Sequence, residues 1–337
     1  MEGSMRAAVV REHGDIENIL IEHDFAEPEL ESGWVRIAVK ATSLNFHDIF
    51  SRRGMPGIKL PLPLVIGSDI AGEVVEVADG VSEVSTGDRV LIDPINFERG
   101  MIGERWNGGR AEYCVADARQ IVPLPASVDY ETAACIPLAY ATAHRMMVTR
   151  GQVKPDDTVL VMGASGGVGT ACVLLAKRAG ATVISCASSA EKLHRLNQLG
   201  SDHGINYIEQ DMRKASWDIA GKPRITGEGG VDLFVNSTGG GTWLDSTRCM
   251  SKGGRLVTCG ATAGFEDQID IRYVWTYEHS LLGSNGWARS DITAMLNYAA
   301  DGSLLPVIDK VLPLEEVHEA ERLMEDREVF GKIVLQP

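Results

Sequence analysis

The sequence predicts an α/β protein in which a doubly wound parallel sheet is inserted into a β-rich, barrel-like domain. Three observations carry that reading. A short apolar run, Val159-Leu160-Val161-Met162, enters the glycine-rich turn Gly163-Ala164-Ser165-Gly166-Gly167-Val168-Gly169 and then an apolar helix. Beyond about residue 133, strand-like and helix-like segments alternate, as a parallel sheet with helices on both faces requires. Before that point, short alternating strands are broken by glycine and proline, the pattern of a small twisted β domain.

Segments 35–39, 74–77 and 90–92 alternate, with breaks at Gly54, Pro56, Pro61, Pro63, Gly67, Gly80 and Gly87. A helix is expected over 137–148, then a strand through Val159, a helix through Leu174, Leu175 and Lys177, and a second strand over 181–186. Later strands are expected at 231–235, 255–259 and 280–283. Helices over 292–300 and 314–324 precede a last strand at 332–335, which reads as a return to the first domain. The expected domains are therefore 1–132 with 288–337, and 133–287.

The glycine turn sits where a βαβ unit holds a dinucleotide. Its glycines let the backbone approach a pyrophosphate, whose charge then lies at a helix N-terminus. In the NAD version, an acid about 20 residues beyond the glycines holds the ribose hydroxyls. Here that place reads Ala187-Ser188-Ser189-Ala190, and the first acid, Glu191, stands next to Lys192. Hydroxyls and a nearby ammonium suit a 2′-phosphate, which a carboxylate would repel, so NADP(H) is expected. The serines also suit a helix cap, and both readings are compatible.

A chain of 337 residues with 44% hydrophobic and 23% charged residues is an ordinary globular protein of one large or two smaller domains. A net charge of −15 argues against nucleic acid or anionic membrane as a primary partner. No run is long enough to span a bilayer. The six cysteines lack CxxC spacing and read as buried, reduced thiols of a cytoplasmic protein. The N-terminus has no apolar signal region, and Met5-Arg6-Ala7-Ala8-Val9-Val10 reads as a natural start, so Met1 to Ser4 read as added residues foreign to the native chain.

Several segments together resemble the medium-chain dehydrogenase/reductases, over nearly the whole chain. They are Ser43-Leu44-Asn45-Phe46-His47-Asp48, Leu64-Val65-Ile66-Gly67-Ser68-Asp69-Ile70-Ala71-Gly72-Glu73-Val74, Gly87-Asp88-Arg89-Val90, Gly109-Arg110-Ala111-Glu112-Tyr113, the glycine turn, and Phe330-Gly331-Lys332-Ile333-Val334-Leu335. The resemblance implies a Rossmann domain inserted in a GroES-like barrel domain. Zinc members carry Cys where this chain has Asn45, His where it has Ser68, and a third ligand near Leu138. The stretch 94–108, where a structural zinc lobe would lie, holds no cysteine. Three strong ligands are needed for a catalytic zinc, so no metal site is expected.

The chain is most similar to the quinone-oxidoreductase and enone-reductase branch. That similarity implies an NADPH-dependent, zinc-independent transfer of hydride to a small electrophile, a quinone or an α,β-unsaturated carbonyl. A carbonyl reductase or alcohol dehydrogenase of the same fold, or a low-activity NADPH-binding redox sensor or structural protein, are the alternatives. By resemblance, Asn45 and Asp48 belong to the catalytic centre, Asp48 alternatively serving as a cap. Thr142 touches the nicotinamide, alternatively facing the core. Many members carry a tyrosine in the loop here formed by 53–59, which has none, so Tyr140, His47 or solvent is left as proton source. Ala164, Gly166, Gly167 and Val168 surround the pyrophosphate. Ser188, Ser189, Lys192 and Tyr207 form the 2′-phosphate pocket. Asn236, Gly260, Ser284 and Asn285 lie at strand ends on the cofactor side, and Lys332 reaches the ribose or the substrate. A homodimer through the strand holding Leu281 and Leu282 is also implied.

Overall fold

The computed structural model describes residues 3–54 and 59–337. Met1 and Glu2 of the expected added residues, and Met55 to Ile58 of the expected substrate loop, lie outside the described residues. The chain divides into two compact units, 1–139 with 292–337, and 140–291. These divisions come later than the 132/133 and 287/288 expected from sequence, for a local reason. The Leu138 N–H donates to an Asp69 carboxylate oxygen at 2.8 Å, which keeps the first helical residues past 132 in the first unit, and Asp291 lies 2.6 Å from His144 Nδ1, which keeps 288–291 in the second.

The first unit is built on a seven-stranded sheet. In order it runs Ile121–Pro123, Arg89–Ile92, Asp69–Val77, Trp34–Ser43, Lys332–Gln336 and Ile308–Pro313, with Tyr113–Asp117 also paired to Trp34–Ser43. Alternation in Trp34–Ser43 sends Val35, Ile37 and Val39 into one core with Ile70, Val74, Val90 and Ile92. The C-terminal strand pairs antiparallel with Trp34–Ser43, Val334 opposite Ser43. Its Ile333 and Leu335 enter a second core with Leu44, Ile49, Leu314, Val317 and Leu323. Helix Phe46–Arg53 contributes Ile49 to that core and stops at Gly54, whose φ of 80° is cheap only for glycine.

The second unit holds a six-stranded, all-parallel sheet. Its order is His203–Asn206, Thr182–Ala187, Thr158–Val161, Val231–Val235, Met250–Thr258 and Ser280–Gly283. The order reverses direction between Thr158–Val161 and Val231–Val235, the switch point beside which such sheets bind ligands. Leu160, Ile184, Ile205, Phe234 and Leu256 form the core on one face. Strand Met250–Thr258 begins five residues before the expected 255. Its early half carries Gly253 and Gly254, a pair of low strand propensity. The structure instead threads Gly254 past Val231 and Ser251, where a Cβ would lie 2.9 Å from the Ser251 carbonyl oxygen. The helix expected over 137–148 is helical through 136–150, but only Ala141–His144 is regular, between two wider π-type turns.

Candidate cofactor and active site

In the second unit, strand Thr158–Val161 runs into the turn and then into helix Gly167–Ala179. Gly163 holds φ at 65°, which reverses the chain. Gly169 lets the helix close onto the turn, because a Cβ there would lie 2.4 Å from the Gly163 carbonyl oxygen. Gly166 is the N-cap, with ordinary extended backbone and no atom closer than 3.8 Å to a hypothetical Cβ. Its own amide bonds the Gly163 carbonyl at 3.3 Å, and its carbonyl accepts from Thr170 at 2.8 Å. The amides of Gly167, Val168 and Gly169 therefore open the helix without acceptors from within it. This is a cradle for an anion with room left in front of it, and a dinucleotide pyrophosphate fits.

Ala164 takes a different part from the one the sequence implied. It is fully buried, and its N–H donates to the Cys186 carbonyl at 3.0 Å. That bond locks the turn to the neighbouring strand and leaves no group for a phosphate.

Strand Thr182–Ala187 ends at Ser188. Ser189 is the N-cap of helix Ala190–Gln198, and its Oγ accepts from the Lys192 amide at 3.2 Å. The hydroxyl proton of Ser189 remains to be donated. Tyr207 follows the adjacent strand, its N–H bonded to the Ala187 carbonyl at 3.2 Å. Ser188, Ser189, Lys192 and Tyr207 are all partly exposed, around one corner of the sheet's carboxyl edge.

At the other end of that edge, a cleft of about 600 Å³ is lined by Thr258, Gly260, Ser284, Asn285, Trp243 and Phe265, among others. Gly260 has open space around it. The Ser284 hydroxyl is buried with no partner, a donor and acceptor suited to a polar ligand group. Cys259 also lines the cleft, but burial pushes its thiol up to about 12, so it is no nucleophile. Trp243, the first residue of the short helix Trp243–Cys249, and Phe265, on a loop, were not foreseen, because neither segment has a periodicity to read.

Asn236 was expected to face the cofactor, and it does not. Its amide donates to Thr242 and Ser246 hydroxyls at 2.9 and 3.0 Å, and its oxygen accepts from the Thr238 and Gly239 amides. It is fully buried with both donors spent. It shapes the loop that forms one wall of the cleft.

Tyr140 is likewise excluded as a proton source. It is fully buried, its hydroxyl 3.3 Å from that of Thr170. Thr142, two residues on, lies in the short regular helical segment and is 5% exposed.

In the first unit, Asn45 is the N-cap of helix Phe46–Arg53. Its side chain donates to Asp69 at 2.9 Å and accepts from the Lys332 ammonium at 2.6 Å. Lys332 also donates to the Leu44 carbonyl at 2.7 Å and to Asp69 at 3.3 Å. Three donors meet three acceptors, and Lys332 is 3% exposed. Lys332 is therefore not a ligand to ribose or substrate; it neutralises Asp69 and fixes Asn45. Asn45 keeps one amide hydrogen uncommitted in these bonds.

Asp48 takes the cap role rather than a catalytic one. Its carboxylate accepts from the Asn45 amide at 2.9 Å and from Arg110 at 3.3 Å, and it is 2% exposed. Burial pushes its carboxyl up, although the Arg110 charge and the Asn45 hydrogen bond oppose that. Arg110 in turn bonds Glu321 at 2.5 Å, and Glu321 lies 3.2 Å from Arg52. All three are buried and mutually compensated.

His47 stands beside this network on the same helix, 31% exposed, its Nε2 3.4 Å from a Glu104 carboxylate oxygen. Ser68, at the position where zinc relatives have histidine, is buried with its hydroxyl unpartnered. Among the described residues, no group of three His, Cys, Asp or Glu is disposed to hold a metal ion. No helix among them is long and apolar enough to cross a membrane. The six cysteines are unpaired, five of them buried.

The comparisons agree with this architecture. A family model described as alcohol dehydrogenase GroES-like domain matches residues 31–126, and one described as zinc-binding dehydrogenase matches 167–301. The chain is 31% identical to human quinone oxidoreductase (Homo sapiens), over 98% of this chain and 97% of that protein. It is 29% identical to a chloroplastic NADPH-dependent alkenal/one oxidoreductase of Arabidopsis thaliana, over 99% of this chain and 80% of that one. Among solved structures, an NAD-dependent alcohol dehydrogenase superimposes with a TM-score of 0.91 at 36% identity, covering 99% of this chain and all of that one. Together with the Rossmann sheet and the GroES-like domain, these matches establish that the chain is an oxidoreductase of the medium-chain dehydrogenase/reductase superfamily, in its quinone oxidoreductase branch.

Proposed function

We propose that the protein is an NADPH-dependent, zinc-independent reductase of quinones or α,β-unsaturated carbonyls. One observation carries the cofactor reading: the strand that ends at Ala187 is followed by Ser188, Ser189 and, in the next turn, Lys192, with no acid where a 2′-hydroxyl would be held. Gly166, Gly167 and Val168 would hold the pyrophosphate, Ser188, Ser189, Lys192 and Tyr207 the 2′-phosphate, and Gly260, Ser284 and Asn285 the far end of the cofactor. The reduced nicotinamide supplies a hydride. Asn45 and Thr142 orient the reactants, with Asn45 held in turn by Asp69 and Lys332.

Two features support the electron-poor acceptor. Alcohol oxidation needs a Lewis acid or equivalent to stabilise the alkoxide, and quinone or enone reduction needs less help. Where zinc relatives have a thiolate, this chain has the neutral amide of Asn45, whose oxygen is already taken by the Lys332 ammonium at 2.6 Å. The human and Arabidopsis relatives point to the same acceptors. The alternative, an alcohol dehydrogenase or carbonyl reductase, is favoured by the likeness to the NAD-dependent alcohol dehydrogenase.

A panel of quinones, enones and ketones, run with NADPH and with NADH and with and without chelator, separates these. The expected result is NADPH-driven quinone or enone turnover indifferent to chelator. Chelator-sensitive alcohol oxidation, or a strong NADH preference, overturns the proposal. Ser188→Asp is expected to weaken NADPH about 10- to 100-fold and to spare NADH, read as the ratio of KM values, because the new carboxylate faces the phosphate. We also propose a homodimer through strand Ser280–Gly283, the sheet's edge, where Leu281 is 40% exposed. A monomeric mass in solution removes it.

A further inference from the structure

The cleft at the carboxyl edge of the second unit's sheet stands between two loop walls. One wall is the segment after strand Val231–Val235, where Gly239, Gly240 and Gly241 hold left-handed φ of 67°, 61° and 90°. The other is the loop after strand Met250–Thr258, which lines the cleft with Cys259, Gly260, Ala261, Gly264, Phe265 and Asp267. Phe265, the large apolar side chain of that wall, is 78% exposed, so burial does not hold the loop in place.

Three backbone bonds join the walls. The Thr262 amide donates to the Ser237 carbonyl at 3.2 Å, Ala263 to Thr238 at 2.8 Å, and Gly240 to Gly264 at 3.0 Å. Among the described residues, one side chain adds to them. An Asp267 carboxylate oxygen accepts from the Gly241 amide at 2.9 Å and from the Trp243 amide at 3.1 Å. Its other oxygen accepts from the Gln268 amide at 2.7 Å, which fixes the carboxylate's own orientation. The walls meet closely: a Cβ on Gly239 would overlap the Gly264 carbonyl oxygen, and one on Gly240 would lie 2.7 Å from that of Ala263.

We propose that Asp267 is a positioning residue, which clamps the two walls together and presets this cleft for the nicotinamide half of the cofactor; the proposal rests on the cofactor reading above. Glycine loses more backbone freedom on ordering than any other residue, so a wall turning on three in a row does not keep its shape unaided. Amide bonds to a carboxylate are among the stronger links open to a loop. Without them the formed cleft becomes one shape among several, and apparent affinity falls with its share of the population. Asp267 is itself exposed, so its bonds serve the loop and not the core.

A plain charge effect has the opposite sign. Among the described residues that line the cleft, Asp267 carries the only charge, and it repels an anionic nucleotide. Removing that charge alone would tighten binding. A loss of affinity therefore points to the clamp.

Calorimetric titration of the full chain with two ligands tests this. Asp267→Ala should weaken NADPH about tenfold or more. Adenosine 2′,5′-bisphosphate, which lacks the nicotinamide half, should bind within about twofold of the parent, and its binding also shows that the variant has folded. Asp267→Asn keeps one acceptor oxygen for the two amides, so its NADPH affinity should fall between those of parent and alanine variant. Equal losses on both ligands make Asp267 a general structural residue and overturn the proposal. NADPH binding that is unchanged or tighter in Asp267→Ala overturns it as well, as does Asp267→Asn no better than alanine. A parent protein that binds neither ligand instead brings down the cofactor reading.

Discussion

Replacing Gly169 by alanine is expected to abolish nucleotide binding and to destabilise the second unit by about 3 kcal/mol or more. The new methyl would lie 2.4 Å from the Gly163 carbonyl oxygen and 2.7 Å from Ala164 backbone atoms. Those atoms have nowhere to go. Gly163 already holds a left-handed conformation, and Ala164 is bonded across to Cys186. The helix must therefore move away from the strand, and its N-terminal amides move with it. Gly166→Ala is the matched control. Its backbone is ordinary for any residue, and the nearest atom to the new methyl is 3.8 Å away; the poorer N-cap and the stiffer unfolded chain offset each other, so stability should change by less than about 1 kcal/mol. Yet the methyl stands in the cradle, and NADPH affinity should fall about tenfold or more. Thermal denaturation read beside nucleotide fluorescence titration checks both. A Gly169→Ala protein as stable as its parent, or a Gly166→Ala protein with unaltered affinity, removes the cradle assignment.

The turn was legible in the sequence because everything it needs is contiguous: a strand, four glycines and a helix within about twenty residues. The sheet that carries it was legible for the same reason, except where local signals mislead. Gly253 and Gly254 break the pattern of a strand that tertiary packing nevertheless imposes, and strand His203–Asn206 holds too few apolar residues to stand out. Site residues were harder. A motif position says roughly where a side chain lies and nothing about whether its hydrogen-bonding capacity is already spent. Asn236, Ala164 and Lys332 all sit close to the expected places, and each is saturated by protein groups. The partners are remote: Lys332 lies 287 residues from Asn45, and Glu321 lies 211 from Arg110. No periodicity connects such pairs, and the first unit's charge network became visible only with the fold.

That remoteness makes Lys332 the sharpest test of the difference between a ligand and a structural ion pair. Lys332→Met is expected to destabilise the first unit by about 3–5 kcal/mol, because it leaves the Asp69 carboxylate buried without its counter-charge. Asp69 is fully buried, with Ser43, Asn45 and Leu138 as its other hydrogen-bond donors. These neutral donors reduce the penalty without cancelling it. In Asp69→Asn the uncompensated charge is the ammonium, still solvated by the Leu44 carbonyl and Asn45, and a smaller loss is expected. The double variant removes both charges and should recover most of the loss, giving a coupling energy of about 2 kcal/mol or more. Urea unfolding followed by tryptophan fluorescence reports on this unit through Trp34 and Trp106, whose rings stack edge-to-face at 5.5 Å. If Lys332 were instead a cofactor ligand, the methionine variant would stay within about 1 kcal/mol of the parent and lose nucleotide affinity alone. The two outcomes do not overlap, since a lysine whose three protons are held by Leu44, Asn45 and Asp69 has none left to give a ribose.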